Sequence, residues 1–148
     1  MPERATIKRA RKDKREGKSP STQAGEFVRE EIHHIREGKH GARSAKQAIA
    51  IGLSKARRAG VRLPAPKQGD APARTRRAAK RDLAKGRQRK PKRPSAARSK
   101  AMTRRLRREG RQAASKTALS RHAHAVARQR TRKERSASAR KAARTRKK

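Results

Sequence analysis

Only 14 of the 148 residues are Val, Ile, Leu or Phe, and that scarcity limits how much of the chain can pack. The share lies well under the roughly one-fifth below which a highly charged chain is expected to stay disordered. Ten of the 14 precede residue 64: Ile7, Phe27, Val28, Ile32, Ile35, Ile49, Ile51, Leu53, Val61 and Leu63. Leu83, Leu106, Leu119 and Val126 follow. Charge runs the other way, with 17 Lys/Arg and 7 Asp/Glu up to residue 63, then 32 and 4. The expected class is therefore mostly α: an N-terminal helical hairpin followed by a long basic tail that is partly disordered or becomes helical on binding.

Two segments carry the hairpin. In "SPSTQAGEFVREEIHHIREGKHG", Ser19 to Thr22 offer N-caps and Gly38 a stop, while Ala24, Val28, Ile32 and Ile35 recur at i, i+4, i+8 and i+11 with Phe27 beside them. Glu26, Glu30 and Glu31 lie toward the start, where the helix dipole favours anions, so this reads as a surface helix with an acidic first half. In "SAKQAIAIGLSKARRAG", Ser44 and Gln47 fit a capping box, and Ala45, Ala48, Ile49, Gly52, Leu53 and Ala56 form an apolar face. Gly60 suits a left-handed C′ position, Val61 is placed to fold back on Ala56, and Pro64 ends the helix. The core predicted from these stripes is Phe27, Val28, Ile32, Ile35, Ile49 and Leu53. Ile51 falls off the stripe and is left for a third element or a partner. The layout reads as a basic, solvated arm over 1–18, the hairpin over 19–63, a Pro/Gly linker over 64–74 and the tail over 75–148.

Within the tail, Met102 and Leu106 with Leu119, His122 and Val126 suggest a second, thin hairpin about Gly110. Thr131 and Glu134 form another capping box. Arg140, Arg144 and Lys148 repeat at i, i+4 and i+8, like charges that oppose a free helix until phosphate neutralises them.

A net charge of +38 calls for a polyanion as partner. The residues expected to contact nucleic acid fall in blocks. Arg76, Arg77, Lys80, Arg81 and Arg87 come first, then Arg89, Lys90, Lys92 and Arg93 around "KPKRP". Arg104, Arg105, Arg107 and Arg108 follow, then Arg128, Arg130, Arg132 and Lys133. Arg140, Lys141, Arg144, Arg146, Lys147 and Lys148 close the chain. Lys46, Lys55, Arg57 and Arg58 make a secondary face on the second helix, beside Gln47 and Ser54. Each phosphate neutralised releases counterions, so engaging about 10–12 phosphates of duplex DNA predicts a log K against log salt slope of roughly −9 to −11. "KPKRP" also suggests insertion into a minor groove. Single-strand and RNA-recognition modules stack bases on aromatic rings, and Phe27 is the chain's one aromatic residue. The connection between the two helices is longer than a helix-turn-helix turn and no third helix is evident, so the hairpin is expected to dock or dimerise, not to read bases.

Other chemistries find little support. Glu30 with His33, and Glu31 with His34, have the i, i+3 spacing of a carboxylate-bridged di-iron helix, and His40 is near, but such a site needs ligands from other helices; no metal or other cofactor is expected. Without cysteine there is no disulfide, thiol nucleophile or zinc finger. No phosphate-cradling glycine loop occurs and nothing builds a pocket, so neither an enzyme nor a small-molecule substrate is expected. The apolar runs are too short for a signal peptide core or a membrane span, and a soluble cytoplasmic protein with no membrane partner is expected.

Across "EGKSPSTQAGEFVREEIHHIREGKHGARS" and "KQAIAIGLSKARRAG", residues 9–64 resemble a family of small, very basic bacterial proteins classed as a domain of unknown function, whose members are often labelled DNA-binding or plasmid-stabilisation proteins. The resemblance implies a bacterial cytoplasm and brings no catalytic residues. The tail resembles linker-histone arms in composition. The reading at this point is electrostatic, sequence-independent binding of nucleic acid, duplex DNA before RNA, in an architectural role on the bacterial nucleoid. An RNA-binding or ribosome-associated protein is the first alternative. The second is an adaptor whose hairpin binds a protein, or a second copy of itself, through Ile51 and the apolar stripe.

Overall fold

The structure, a computed structural model, describes residues 2–88 and 95–146, with the side chains of 145 and 146 outside that description. Its described residues form seven α-helices and one short 3₁₀ turn: α1 (Arg4–Arg15), α2 (Pro20–Arg36), α3 (Ala45–Arg58), α4 (Ala73–Arg87), α5 (Ala96–Arg107), the 3₁₀ turn (Gln112–Ala114), α6 (Lys116–Gln129) and α7 (Arg132–Arg146).

The two predicted helices form with the predicted signals. Ser19 Oγ accepts from the Thr22 N–H at the start of α2, and Ser44 Oγ accepts from the Gln47 N–H at the start of α3. Gln47 returns its carbonyl oxygen to the N–H of Arg43, one residue ahead of the cap, at 2.9 Å. Helices α1, α2 and α3 all end on a left-handed glycine, Gly17, Gly38 and Gly60. At the last of these Gly60 N–H donates to Arg57 O and Val61 N–H to Ala56 O, closing the C-terminus in a Schellman arrangement. Val61 is buried against Ala56 as the sequence predicts.

Helices α2 and α3 approach closely because α3 presents Gly52 to the backbone of α2; a Cβ there would lie 2.7 Å from Val28 Cα. The core is two small clusters. One gathers Ile32, Ile35, Ala42, Ala48, Ala113 and Ala114, with Val28 and Leu119 against it. The other gathers Ala10, Ala24, Phe27, Ala56 and Val61, with Ile7, Leu53 and Leu63. Ile49 and Ile51 are half-buried and join neither cluster.

The clusters overturn the layout of a hairpin followed by a loose tail. Ile7 and Ala10 bring α1 into the second cluster, so residues 1–18 are not a solvated arm. Ala113, Ala114 and Leu119 bring the 3₁₀ turn and α6 into the first cluster, next to residues from α2 and α3. Two backbone bonds and one from a side chain lock this docking: Gly41 N–H donates to Leu106 O and Ala42 N–H to Gly110 O, and the Arg36 guanidinium Nε donates to Ala114 O. Glycine is required at 41, since any Cβ would run into the Glu109 carbonyl. The physical reason is that small residues suffice where backbones meet; Ala113 and Ala114 add little apolar area each, yet they are buried and hydrogen-bonded around.

Helix α4 docks on α3 through Ala79, Asp82, Leu83 and Gly86, spaced i, i+3, i+4 and i+7. Asp82 accepts from Ser54 Oγ at 2.6 Å and faces Arg58 at 3.6 Å, while Gly86 abuts the Arg57 carbonyl. The thin second hairpin is not formed: Leu119 turns into the core and Met102 is 56% exposed. No helix of the described residues is long and apolar enough to cross a membrane.

Candidate nucleic-acid interface

Charge is segregated in the folded chain. Each acidic side chain from Glu3 to Glu37 takes part in at least one ion pair with a cation or a histidine of residues 9–55. Residues 71–148 hold 31 Lys/Arg and only three acids, Asp82, Glu109 and Glu134. Asp82 is spent on the α3–α4 contact, and Glu134 on capping α7, where its carboxylate accepts from Thr131 N–H at 2.8 Å and Thr131 Oγ1 accepts from the Glu134 N–H.

The docked stripe of α4 leaves Arg77, Lys80, Arg81 and Arg87 exposed on its other faces, with Arg76 half-buried and its Nε buried without a hydrogen-bond partner. On α5 and the residue after it, Arg104, Arg105, Arg107 and Arg108 are exposed. Helix α6 is two-faced. Leu119, His122 and Val126 are half-buried, whereas Lys116, Ser120, Arg121, His124 and Arg128 line an open concavity on the solvent side. Arg130, Arg132, Lys133, Arg140, Lys141 and Arg144 are exposed at the start of and along α7. Helix α7 is tied to α6 by Arg135, whose guanidinium donates to the carbonyls of Ala127 and Arg130. Arg89, Lys90, Lys92 and Arg93, with the "KPKRP" motif, lie outside the described residues, as do Lys147, Lys148 and the Arg146 side chain.

The secondary face on α3 shrinks. Lys46 is exposed and Arg58 keeps an exposed guanidinium beside Ser54 and Asp82. Lys55 turns inward to Glu30 and Glu31. Arg57 is 7% exposed; its guanidinium donates to the carbonyls of Leu63 and Pro64, and burial pushes its pKa down from the usual value against the opposing pull of Asp82. Its work is to hold the chain after α3. Lys14, Arg62 and Arg87 instead converge on an open cleft of about 580 Å³ between α1, α3 and α4. Sequence reading missed Lys14, Arg62, Lys116 and Arg121; nothing in their residue type separates them from other cations, and only the packing shows which face the same space.

Glu30 and Glu31 are not on a surface helix face. Both are buried, Glu31 completely, because α1 and α3 cover that side of α2. Glu30 Oε2 accepts from the Glu3 N–H at 3.2 Å.

Residues 11–68 match the model of a family described as Family of unknown function (DUF6496). The match spans the last five residues of α1, all of α2 and α3 and part of the segment after them; it leaves α4 to α7 outside. It lends nothing to the labels of DNA binding or plasmid stabilisation, since the family's function is unknown. No curated protein and no solved structure matches the chain.

Proposed function

We propose that the chain binds nucleic acid, duplex DNA before RNA, by neutralising backbone phosphates with cations that project from α4 to α7, and that its role is architectural. One observation carries the reading: acids and cations pair within α1 to α3, while residues 71–148 have 31 Lys/Arg and three acids, two of them engaged in structural contacts. A folded chain with that imbalance stores self-repulsion that a polyanion relieves, and counterion release supplies affinity without reading sequence. Helical cations fit this task because a rigid rod presents them at fixed rise, and Ala and Ser between them keep the backbone close to phosphate. Phe27, the one aromatic residue, is 1% exposed and offers no stacking platform for single strands.

The test compares the full chain on a duplex, a structured RNA and a single strand of equal length, by fluorescence anisotropy at several salt concentrations. The duplex is expected to bind most tightly. Replacing Arg104, Arg105, Arg107 and Arg108 by Glu is expected to weaken binding alike on unrelated sequences, and to flatten the salt slope by about one for each phosphate no longer engaged. Preference for RNA would move the assignment to an RNA partner. Unchanged affinity in the quadruple variant would remove α5 from the interface.

A further inference from the structure

The buried end of α2 carries an arrangement that nucleic-acid binding does not use. Glu31 and His34 sit one turn apart on α2, and the Gly38 reversal brings His40 back over them, so that one ligand atom from each of the three lies within 4.8 Å of the others. Sequence spacing argued against a metal because no second helix offered ligands; the third ligand comes instead from the loop. We propose that Glu31, His34 and His40 form a binding site for a divalent transition metal ion of the zinc class.

Three observations converge on it. First, the Glu31 carboxylate is 0% exposed, and neither oxygen has a hydrogen bond of proper geometry, although His40 Nε2 is 3.1 Å from Oε1 and Lys55 Nζ 2.5 Å from Oε2. A fully buried carboxylate without hydrogen bonds is costly, and a metal ion on Oε1, with Lys55 kept on Oε2, satisfies it. Second, each candidate ligand already has a neighbour of the kind that orients metal ligands. His40 Nδ1 faces the Gly41 carbonyl at 3.1 Å, which leaves Nε2 as the donor atom. His34 Nε2 faces the Glu3 carboxylate at 2.9 Å, which leaves Nδ1. Third, the donor set is right for zinc and wrong for magnesium: two imidazoles and one carboxylate, with a fourth position left for water or a further ligand. A tetrahedral ion with bonds of about 2.0–2.2 Å holds its ligands about 3.3–3.5 Å apart, so closing the site takes side-chain movement only. Glu3, Glu30 and Glu31 gather three carboxylates at this corner, faced by the two lysines Lys39 and Lys55.

The site reaches beyond itself. His40 precedes Gly41 and Ala42, whose N–H groups hold the turn after α5, so an ion at His40 stiffens the joint between the N-terminal helices and the C-terminal half.

The experiment titrates Zn²⁺ into the untagged full chain by isothermal calorimetry, with Co²⁺ absorption reporting geometry and circular dichroism checking that each variant folds. One Zn²⁺ per chain is expected, with a Co²⁺ spectrum of tetrahedral N/O coordination. His40→Gln and His34→Gln are each expected to weaken Zn²⁺ binding at least tenfold while keeping wild-type helicity, and His33→Gln, one residue away and exposed, to leave it unchanged. Amide exchange at Gly41 and Ala42 is expected to slow with Zn²⁺. Absence of stoichiometric Zn²⁺ binding by the wild type overturns the proposal. So does retained affinity in folded His40→Gln and His34→Gln, or an equal loss in His33→Gln.

Discussion

At the scale of single residues, two glycines on facing helices separate the conformational cost of glycine from its steric use. Gly25 lies in α2 with nothing within 4 Å of where its Cβ would be, so Gly25→Ala is expected to stabilise the chain by about 0.5–1 kcal/mol through helix propensity alone. Gly52 lies in α3 against Val28 Cα, Val28 N and Phe27 O at 2.7–3.0 Å, all backbone atoms that cannot rotate away. Gly52→Ala is therefore expected to cost about 1–3 kcal/mol. Urea unfolding of both variants checks the opposite signs; two stabilised variants would mean that α2 and α3 do not approach as described. Phe27, 1% exposed in the second cluster, is the largest buried apolar side chain, and Phe27→Ala is expected to cost about 3–5 kcal/mol, enough to unfold a domain this sparsely packed.

At the scale of elements, α7 is held by its cap and by Arg135, and none of its described residues is among the buried residues of either core cluster. Hydrogen bonds from Thr131, the backbone N–H first, hold the Glu134 carboxyl below the usual carboxylate range. A carboxyl depressed in the folded state contributes stability that is complete above its unfolded pKa and is lost as pH falls through the folded value. Acidification below the ordinary carboxylate range is thus expected to open the first turn of α7, read as faster amide exchange at Glu134 and Arg135, and Glu134→Gln is expected to flatten that response. A wild-type first turn indifferent to pH would contradict the capping geometry. Leu119 tests the docking of α6 in the same way: half-buried in the first cluster, its replacement by Ala is expected to cost about 1–2 kcal/mol, below the range for a fully buried leucine, and to raise exchange at Gly41 and Ala42.

Much of this scale was readable in the residues: the Ser19, Ser44 and Thr131 caps, the Gly38 and Gly60 stops and the Phe27 to Ile35 stripe all signal locally, through short-range hydrogen bonds and a 3.6-residue period. The docking of α1, α4 and the 3₁₀ turn was not. It runs through Ala10, Ala79, Ala113, Ala114, Gly41 and Gly86, residues too small to stand out from an Ala-rich background. Counting large apolar side chains therefore understates how much of this chain packs. The Glu31, His34 and His40 cluster was half readable, by its i, i+3 spacing; what spacing could not show is the loop that returns His40 and the cover of α1 and α3 that buries Glu31.

At the scale of the whole molecule, the central claim is that a chain whose N-terminal acids, 7 against 17 Lys/Arg up to residue 63, are all held in ion pairs there presents the nearly acid-free cations of α4 to α7 to phosphate. The interface so described is distributed, which predicts weak effects from single Arg replacements and large, additive effects from block reversals, as expected for counterion release without base contacts. The most direct measurement is the dissociation constant of the full chain on duplex DNA as a function of salt. Engagement of about 10–12 phosphates predicts a log–log slope of roughly −9 to −11. An affinity that stays level between low and high salt would contradict electrostatic binding by the exposed cations.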